Sequence, residues 1–394
     1  MSKVKNFFSK NAMLAILLFT MLLFEVLIQG NGKGSLFSPQ NLTNLIGQNG
    51  YVVILATGML LCILTGGNID LAVGSVVILV GAFAGIFIVN MKLDPFISII
   101  LCLIIASGLG AWQAFWIAYM NIPPFIVTLA GMLTFRGLAL VILGSKNIGP
   151  FPDSFKGLFN SSIPSSMVGG DNKGLILLIT LLIAAAICTV ILALHILSRI
   201  QKQRKGYPVD NMFSSLVRPI IVSIVIMLVF WRLGSHNGIP VVLVLIGVVV
   251  LIYTYFTQNT IYGRYLYAMG GNEKAARLSG INTKRMMFFA YTNMGFLAGV
   301  AALVCVARFN QASTQAGNGY ELDAIGSCFI GGASAYGGVG TISGAVIGAI
   351  FMGVLNMGMS LLGWDQNIQR VIKGLVLLSA VVFDIISKNR KQTA

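Results

Sequence analysis

A chain of 394 residues would make two or three soluble domains of about 100–200 residues each, but its composition excludes that reading. Only 9% of the residues are charged and 57% are hydrophobic, with a mean hydropathy of +0.88; a soluble domain carries roughly 25% charge, so lipid must cover much of this surface. The net charge of +15 would point to nucleic acid only if the basic residues gathered on a soluble face, and their placement along the chain says otherwise.

An apolar run of about 20 residues crosses a bilayer as a helix. Such runs fall near 12–28, 95–120, 122–144, 174–197, 217–235, 239–256, 286–307 and 367–386. Two longer stretches, 50–91 and 321–361, are interrupted by glycine-rich breaks at Gly66–Ser75 and Gly331–Gly340. Lys3, Lys5 and Lys10 precede the first run, and Lys388, Arg390 and Lys391 follow the last. Arg199, Lys202, Arg204, Lys205 and Arg218 fill one loop, and Arg264, Lys274, Arg277, Lys284 and Arg285 another. These regions hold sixteen of the 26 positive charges. Cytoplasmic loops carry the Lys/Arg excess, which places both termini and both loops inside. Counting each interrupted stretch as two passes then gives about twelve crossings, with 29–49, 92–94, 145–173, 308–320 and 362–366 facing outward. The first 30 residues have the basic start and apolar run of a signal peptide. Gln29-Gly30-Asn31-Gly32 is no small-x-small cleavage site, however, which predicts an uncleaved anchor.

No Gly-x-x-x-x-Gly-Lys-Ser/Thr phosphate loop occurs, so the chain does not bind ATP by that route. The glycines from Gly338 to Gly344 lie in an apolar stretch and follow no soluble strand, failing the dinucleotide fingerprint. Cys62, Cys102, Cys188, Cys305 and Cys328 are scattered through apolar segments and read as buried thiols rather than metal ligands or disulfides. His195 and His236 are isolated and lack the partners that zinc or catalysis requires. The chain therefore reads as non-enzymatic, with no cofactor and no metal.

A helix broken at membrane depth is tolerated where its backbone is buried in protein or lines a water-filled cavity, and transporters use such breaks to meet polar substrates. The competing reading is close helix packing by small residues. Asn68 and Asp70 favour a functional first break, because an ionisable side chain there needs a partner or a role. For Asp70, cavity lining and capping of the helix that starts at Leu71 both stay open. Arg136 is the other deep charge; it either pairs with Asp70 or snorkels. The prolines of Asn121-Ile122-Pro123-Pro124-Phe125 suit a first helical turn. Glu25 is weaker evidence, near the outer end of the first span. Glu321 and Asp323 begin the second interrupted stretch, where favour from the helix dipole suffices.

Loop 257–285 is the most distinctive segment. Asn272 predicts a cap for a short helix over Glu273–Ser279, with Gly280 as its stop. Ala275, Ala276 and Leu278 give that helix a small apolar face, either packed under the bundle or offered to a partner's groove.

Four segments carry a resemblance: Gly66–Ser75; Ile122–Gly131 with Thr134-Phe-Arg-Gly137; Tyr267–Ile281; and Glu321–Ile325 with the Gly331–Gly338 run. In these the chain resembles the permease subunits of bacterial ribose/xylose-type (multiple-monosaccharide) ABC sugar importers, in the branched-chain amino acid and monosaccharide permease superfamily. The resemblance implies an all-α polytopic membrane protein, a single permease domain over 1–394 in the cytoplasmic (inner) membrane. Its ten-helix core (1–171 and 238–394) has re-entrant glycine-rich helices. It is used as a pair of copies, beneath an extracytoplasmic sugar-binding protein and above ATP-binding subunits that hydrolyse ATP. Gly271, Asn272, Glu273, Ala275, Ala276, Arg277, Leu278, Ser279 and Gly280 would form the helix that couples to the ATPase. Asn68, Asp70, Phe125, Thr128 and Arg136 would line the substrate pathway. One departure is 172–237, a helical hairpin with the basic loop 198–218, which has no counterpart in the shorter ribose-type permeases; it is read as peripheral, its basic loop anchoring on anionic lipid. The alternatives are an ion-coupled secondary transporter using Asp70 and an amino-acid permease of the same superfamily.

Overall fold

The computed structural model describes residues 12–144, 146–168, 172–207 and 212–392; Lys3, Lys5 and Lys10 lie outside the described residues. In chain order the elements are α1 (Ala12–Gly30), α2 (Pro39–Leu64), α3 (Val73–Ala84, continuing as a π turn over Gly85–Asn90), α4 (Pro95–Ala118) and α5 (Pro124–Leu143). Then come α6 (Asp153–Asn160), β1 (Ser162–Pro164), α7 (Ser165–Val168), α8 (Lys173–Arg204), α9 (Met212–Gly234), β2 (Gly238–Pro240) and α10 (Val241–Asn259). The chain closes with α11 (Ile261–Gly271), α12 (Glu273–Leu278), α13 (Thr283–Phe309), α14 (Tyr320–Ile330), α15 (Ile342–Leu361) and α16 (Gln366–Gln392).

Among the described residues, ten helices are long and apolar enough to cross a membrane. They are α1 to α5, with α3 taken through its π turn, then α8, α9, α10, α13 and α15. The two further passes counted in the sequence fall on α14 and α16. The 11 residues of α14 rise about 16 Å, half of a roughly 30 Å hydrocarbon core, and the glycine break continues from its end. Helix α16 has 27 residues, but Arg370, Lys373 and Asp384 dilute its hydropathy. Both breaks fall where the glycines predict them. Helix α2, however, starts at Pro39 rather than near 50, because its first turns carry Asn and Gln that an apolar window passes over.

The chain divides into two compact units. The first comprises Met1–Leu36, Gly47–Asn160 and Leu245–Ala394. Its centre is α3, apolar on every side and buried along nearly its whole length, as a helix without a polar face must be; it packs against α5 and α13. Helices α4 and α13 approach closely through small residues: a methyl on Gly110 would lie 2.7 Å from the Tyr291 carbonyl, and one on Gly295 would lie 2.5 Å from that of Ala106. Helix α14 lies on α15 and α16.

The second unit comprises Phe37–Ile46 and Ser161–Val244, which encloses the 172–237 hairpin. Helices α8 and α9 pack on each other, with Gly234 against Leu177 and Thr180 and the Cys188 thiol donating to Ser223 O at 3.5 Å. Strands β1 and β2 pair antiparallel, Ser162 opposite Pro240. Arg199 donates to Ser215 across the ends of the two helices.

Candidate functional site

The two glycine breaks meet each other. A methyl on Gly67 (φ +76°) would lie 2.0 Å from the Ala335 carbonyl, and one on Gly337 (φ +81°) 2.5 Å from Gly66 Cα. Positive φ and backbone-to-backbone approach each demand glycine. Gly338 N–H donates to Leu64 O, the last carbonyl of α2, at 3.2 Å. The end of the half-helix pass is therefore bonded to the end of α2.

The polar loop between α10 and α13 reaches into this junction. Leu266 and Met269 of α11 are fully buried, and Tyr267 donates its hydroxyl to Gly340 O at 2.8 Å. Burial raises the Tyr267 pKa above its ordinary value, so it stays a donor. A methyl on Gly270 would lie 1.9 Å from Leu64 O and 2.2 Å from Gly338 N. Gly270→Ala should therefore lower the melting temperature of the chain in detergent and cut transport more than tenfold, since overpacking costs about 1–3 kcal/mol even where side chains can move and here the opposing atoms are backbone. Gly271→Ala, where a methyl meets nothing within 4 Å, should melt as the parent does; equal destabilisation by both would refute the contact.

Helix α12 hangs from the far end of α11. Asn272 Oδ1 accepts from Ala275 N–H at 3.0 Å, the cap its sequence predicts, and Gly280 at φ +86° ends the element. Ala276 turns inward and is buried, so it does not belong to the outward apolar face. Glu273, Lys274, Ala275, Arg277 and Ser279 are exposed, and Leu278 is 90% exposed. A leucine that far exposed is left uncovered by its own chain.

Each polar residue of the predicted pathway is engaged by hydrogen bonds within the chain. Asn68 donates from Nδ2 to Thr65 Oγ1 at 3.2 Å. Asp70 is buried, with Oδ1 accepting from Ala72 N–H at 2.8 Å. The helix it is predicted to cap starts at Val73, two residues later than its spacing predicts, and the N-cap position is Ala72, without a side-chain bond, so Asp70 closes the turn ahead of the helix rather than capping it. Thr128 is buried and donates back to Phe125 O at 3.4 Å, while Phe125 itself is exposed. One turn on, Gly131 lies against Ala72, so the start of α5 rests on the first break. Arg136, eight residues or about 12 Å beyond Thr128 along α5, does not reach Asp70. Its Nη1 donates to Asn318 Oδ1 at 2.6 Å and its Nη2 to Ala316 O at 3.0 Å. Both acceptors lie in segment 310–319, which runs back along α3 and α5: Ala312 pairs with Ile148, and Gly317 packs on Gly74.

Two features escape the sequence reading. Glu25 does not face a pathway; its carboxylate accepts from Ser35 Oγ at 2.7 Å and Leu36 N–H at 2.8 Å, tying down the turn after α1. Asp323 does more than sit at a helix start: it is buried and paired with Lys373 at 2.9 Å. Lys373 lies seven residues inside the last predicted span, and a charge at that depth demands a partner; that signal was available.

The comparisons with known proteins fit this architecture. The chain is similar to the xylose transport system permease protein XylH of Escherichia coli (strain K12), 35% identical over 91% of this chain and 88% of that protein. It is 32% identical to the XylH of Haemophilus influenzae over 91% of this chain and 92% of that one. It is also 31% identical to the ribose import permease protein RbsC of Escherichia coli (strain K12), over 94% and 92%. No solved structure matches. With ten apolar helices among its described residues the protein is a multi-pass bacterial membrane protein. Residues 41–381 match the family described as branched-chain amino acid transport system / permease component, and the chain belongs to that family.

Proposed function

We propose that this chain is the membrane pathway subunit of a binding-protein-dependent, ATP-driven monosaccharide importer, working as a pair of copies with an ATP-binding subunit on its cytoplasmic side and a sugar-binding protein outside. One observation carries the reading: the exposed helix α12, with Leu278 at its tip, follows directly on α11, which is bonded to the second glycine break through Tyr267 and packs through Gly270 on the end of α2, where the first break begins. A push on α12 is thus delivered to the two discontinuities in the membrane. An ion-coupled symporter needs no such handle, and Asp70 spends one oxygen on the Ala72 N–H. The xylose and ribose named for the relatives support a pentose as the solute. A neutral sugar calls for amide, hydroxyl, backbone and aromatic groups, as Asn68, Phe125, Thr128 and the breaks provide, while Asp70 and Arg136 are engaged by hydrogen bonds within the chain.

The test is uptake of labelled xylose and ribose by proteoliposomes holding the chain, its ATP-binding subunit and the sugar-binding protein. Uptake should require internal ATP and the binding protein, and should survive an uncoupler. Uptake abolished by the uncoupler and indifferent to ATP would sink the reading.

A further inference from the structure

Segment 310–319 and α5 enclose a cleft of about 340 Å³, lined by Arg136, Leu140, Thr314, Gln315 and Asn318. That volume is at the lower end of the roughly 300–1,000 Å³ of small-molecule sites. Its polar side chains form a directed chain. Arg136 has only donors, so the Asn318 oxygen must face it, at 2.6 Å. The Asn318 Nδ2 is thereby turned to Gln315 Oε1, to which it donates at 3.1 Å. Gln315 Oε1 is thus engaged, and its two Nε2–H donors are presented to the cleft by an exposed side chain. The guanidinium thus fixes both amides without any choice of rotamer, and a bond that begins at a cation polarises those that follow it.

The backbone under this chain is held in place. Ala312 exchanges both backbone bonds with Ile148, at 2.8 and 3.0 Å. Thr314 N–H donates to Asn147 Oδ1 at 3.1 Å, and a methyl on Gly317 would lie 2.0 Å from Gly74 O. Glu321 interacts electrostatically with Arg136, which offsets part of the guanidinium charge. Leu140, 38% exposed, supplies one apolar wall. Oriented amide donors opposite an aliphatic wall match a monosaccharide, which offers hydroxyl oxygens at its rim and C–H groups on its face.

We propose that the Arg136–Asn318–Gln315 chain is an outer monosaccharide subsite, with the Gln315 amide the donor that reads a ring hydroxyl and Arg136 and Asn318 the residues that position it. The assignment rests on the importer reading above and deepens it.

The test uses the complete assembly in proteoliposomes at saturating binding protein, reading sugar taken up per ATP hydrolysed. Gln315→Leu should lower that ratio about five- to tenfold, the worth of one hydrogen bond of about 1–1.4 kcal/mol. Gln315→Asn, which keeps the amide on a shorter stem, should recover part of the loss. Arg136→Met, which releases both amides, should cost at least as much as Gln315→Leu. A Gln315→Leu ratio equal to the parent's at every sugar concentration overturns the subsite while leaving the importer reading intact. A Gln315→Leu loss that traces entirely to weaker capture of the binding protein also overturns it, making the cleft a protein-docking surface. A parent that takes up no sugar with ATP overturns both.

Discussion

Lys373→Met should destabilise the chain in detergent by about 3–5 kcal/mol, because it leaves the Asp323 carboxylate buried without its counter-ion. Lys373 Nζ lies 2.9 Å from one Asp323 oxygen and 3.2 Å from the other. Tyr51 donates its hydroxyl to the second oxygen at 2.8 Å, with Asn356 Nδ2 at 3.5 Å. The aspartate side chain is 1% exposed and the lysine 16%, so solvent screens the pair little. The position of Asp323 in the first turn of α14 softens the loss, since the helix N-terminus favours a negative charge, and places the effect toward the lower figure. The pair with Asp323→Asn should recover most of the stability: a neutral amide oxygen still accepts from Tyr51, and removing both charges together costs far less than removing one. Thermal unfolding of the parent, the two single variants and the double variant decides it. Additive losses in the double variant would show that the two residues act independently. The pair matters to transport because it ties the half-helix α14 to α16 and, through Tyr51, to α2; the segment that ends in the second glycine break is thereby held at its other end.

Leu278→Asp should abolish co-purification of the ATP-binding subunit while leaving the chain folded in the membrane. Leu278 touches almost nothing within its own chain, being 90% exposed, so its replacement removes no internal packing. A buried leucine contributes about 1.5–3 kcal/mol at an interface and an aspartate there adds an unpaired charge, which together shift association by a hundredfold or more. Ala276→Asp would be uninformative, because Ala276 is buried against the chain itself. Ala275 and Arg277 flank Leu278 on the exposed side, and Arg277→Ala should weaken association less. An ATP-binding subunit that co-purifies with Leu278→Asp as it does with the parent would remove α12 from the interface.

Much of this was legible in the chain itself. Hydropathy located the helices, the two glycine clusters located the breaks, and Asn272 with Gly280 located α12, because each of these signals is local: burial in lipid, a positive φ, a cap three residues from its donor. Where local polarity and helix disagree, as over the first turns of α2, the apolar window fails although the helix is there. The short α14 was absorbed into a full pass for the same reason, since apolar content says how much chain the membrane holds and not whether all of it is helical.

Partners across long separations were not legible. The sequence marked Asp70 and Arg136 as deep charges and left open whether they pair. Their separate satisfaction, Asp70 by a backbone N–H two residues on and Arg136 by a segment some 180 residues away, depends on how 310–319 folds back. Lys373 and Asp323 are 50 residues apart and share no pattern. By itself the sequence determined that the chain is a polytopic helical membrane protein, where it is broken, and where a short capped helix stands in the loop between spans. Only the tertiary structure decided that the two breaks touch, that α11 packs where they meet, that Ala276 faces in while Leu278 faces out, and which buried charge answers which. The physical reason is that lipid burial, backbone conformation and capping are settled within a few residues, whereas a buried charge or a glycine with no room for a methyl is explained only by the atom opposite it, and the fold alone supplies that atom.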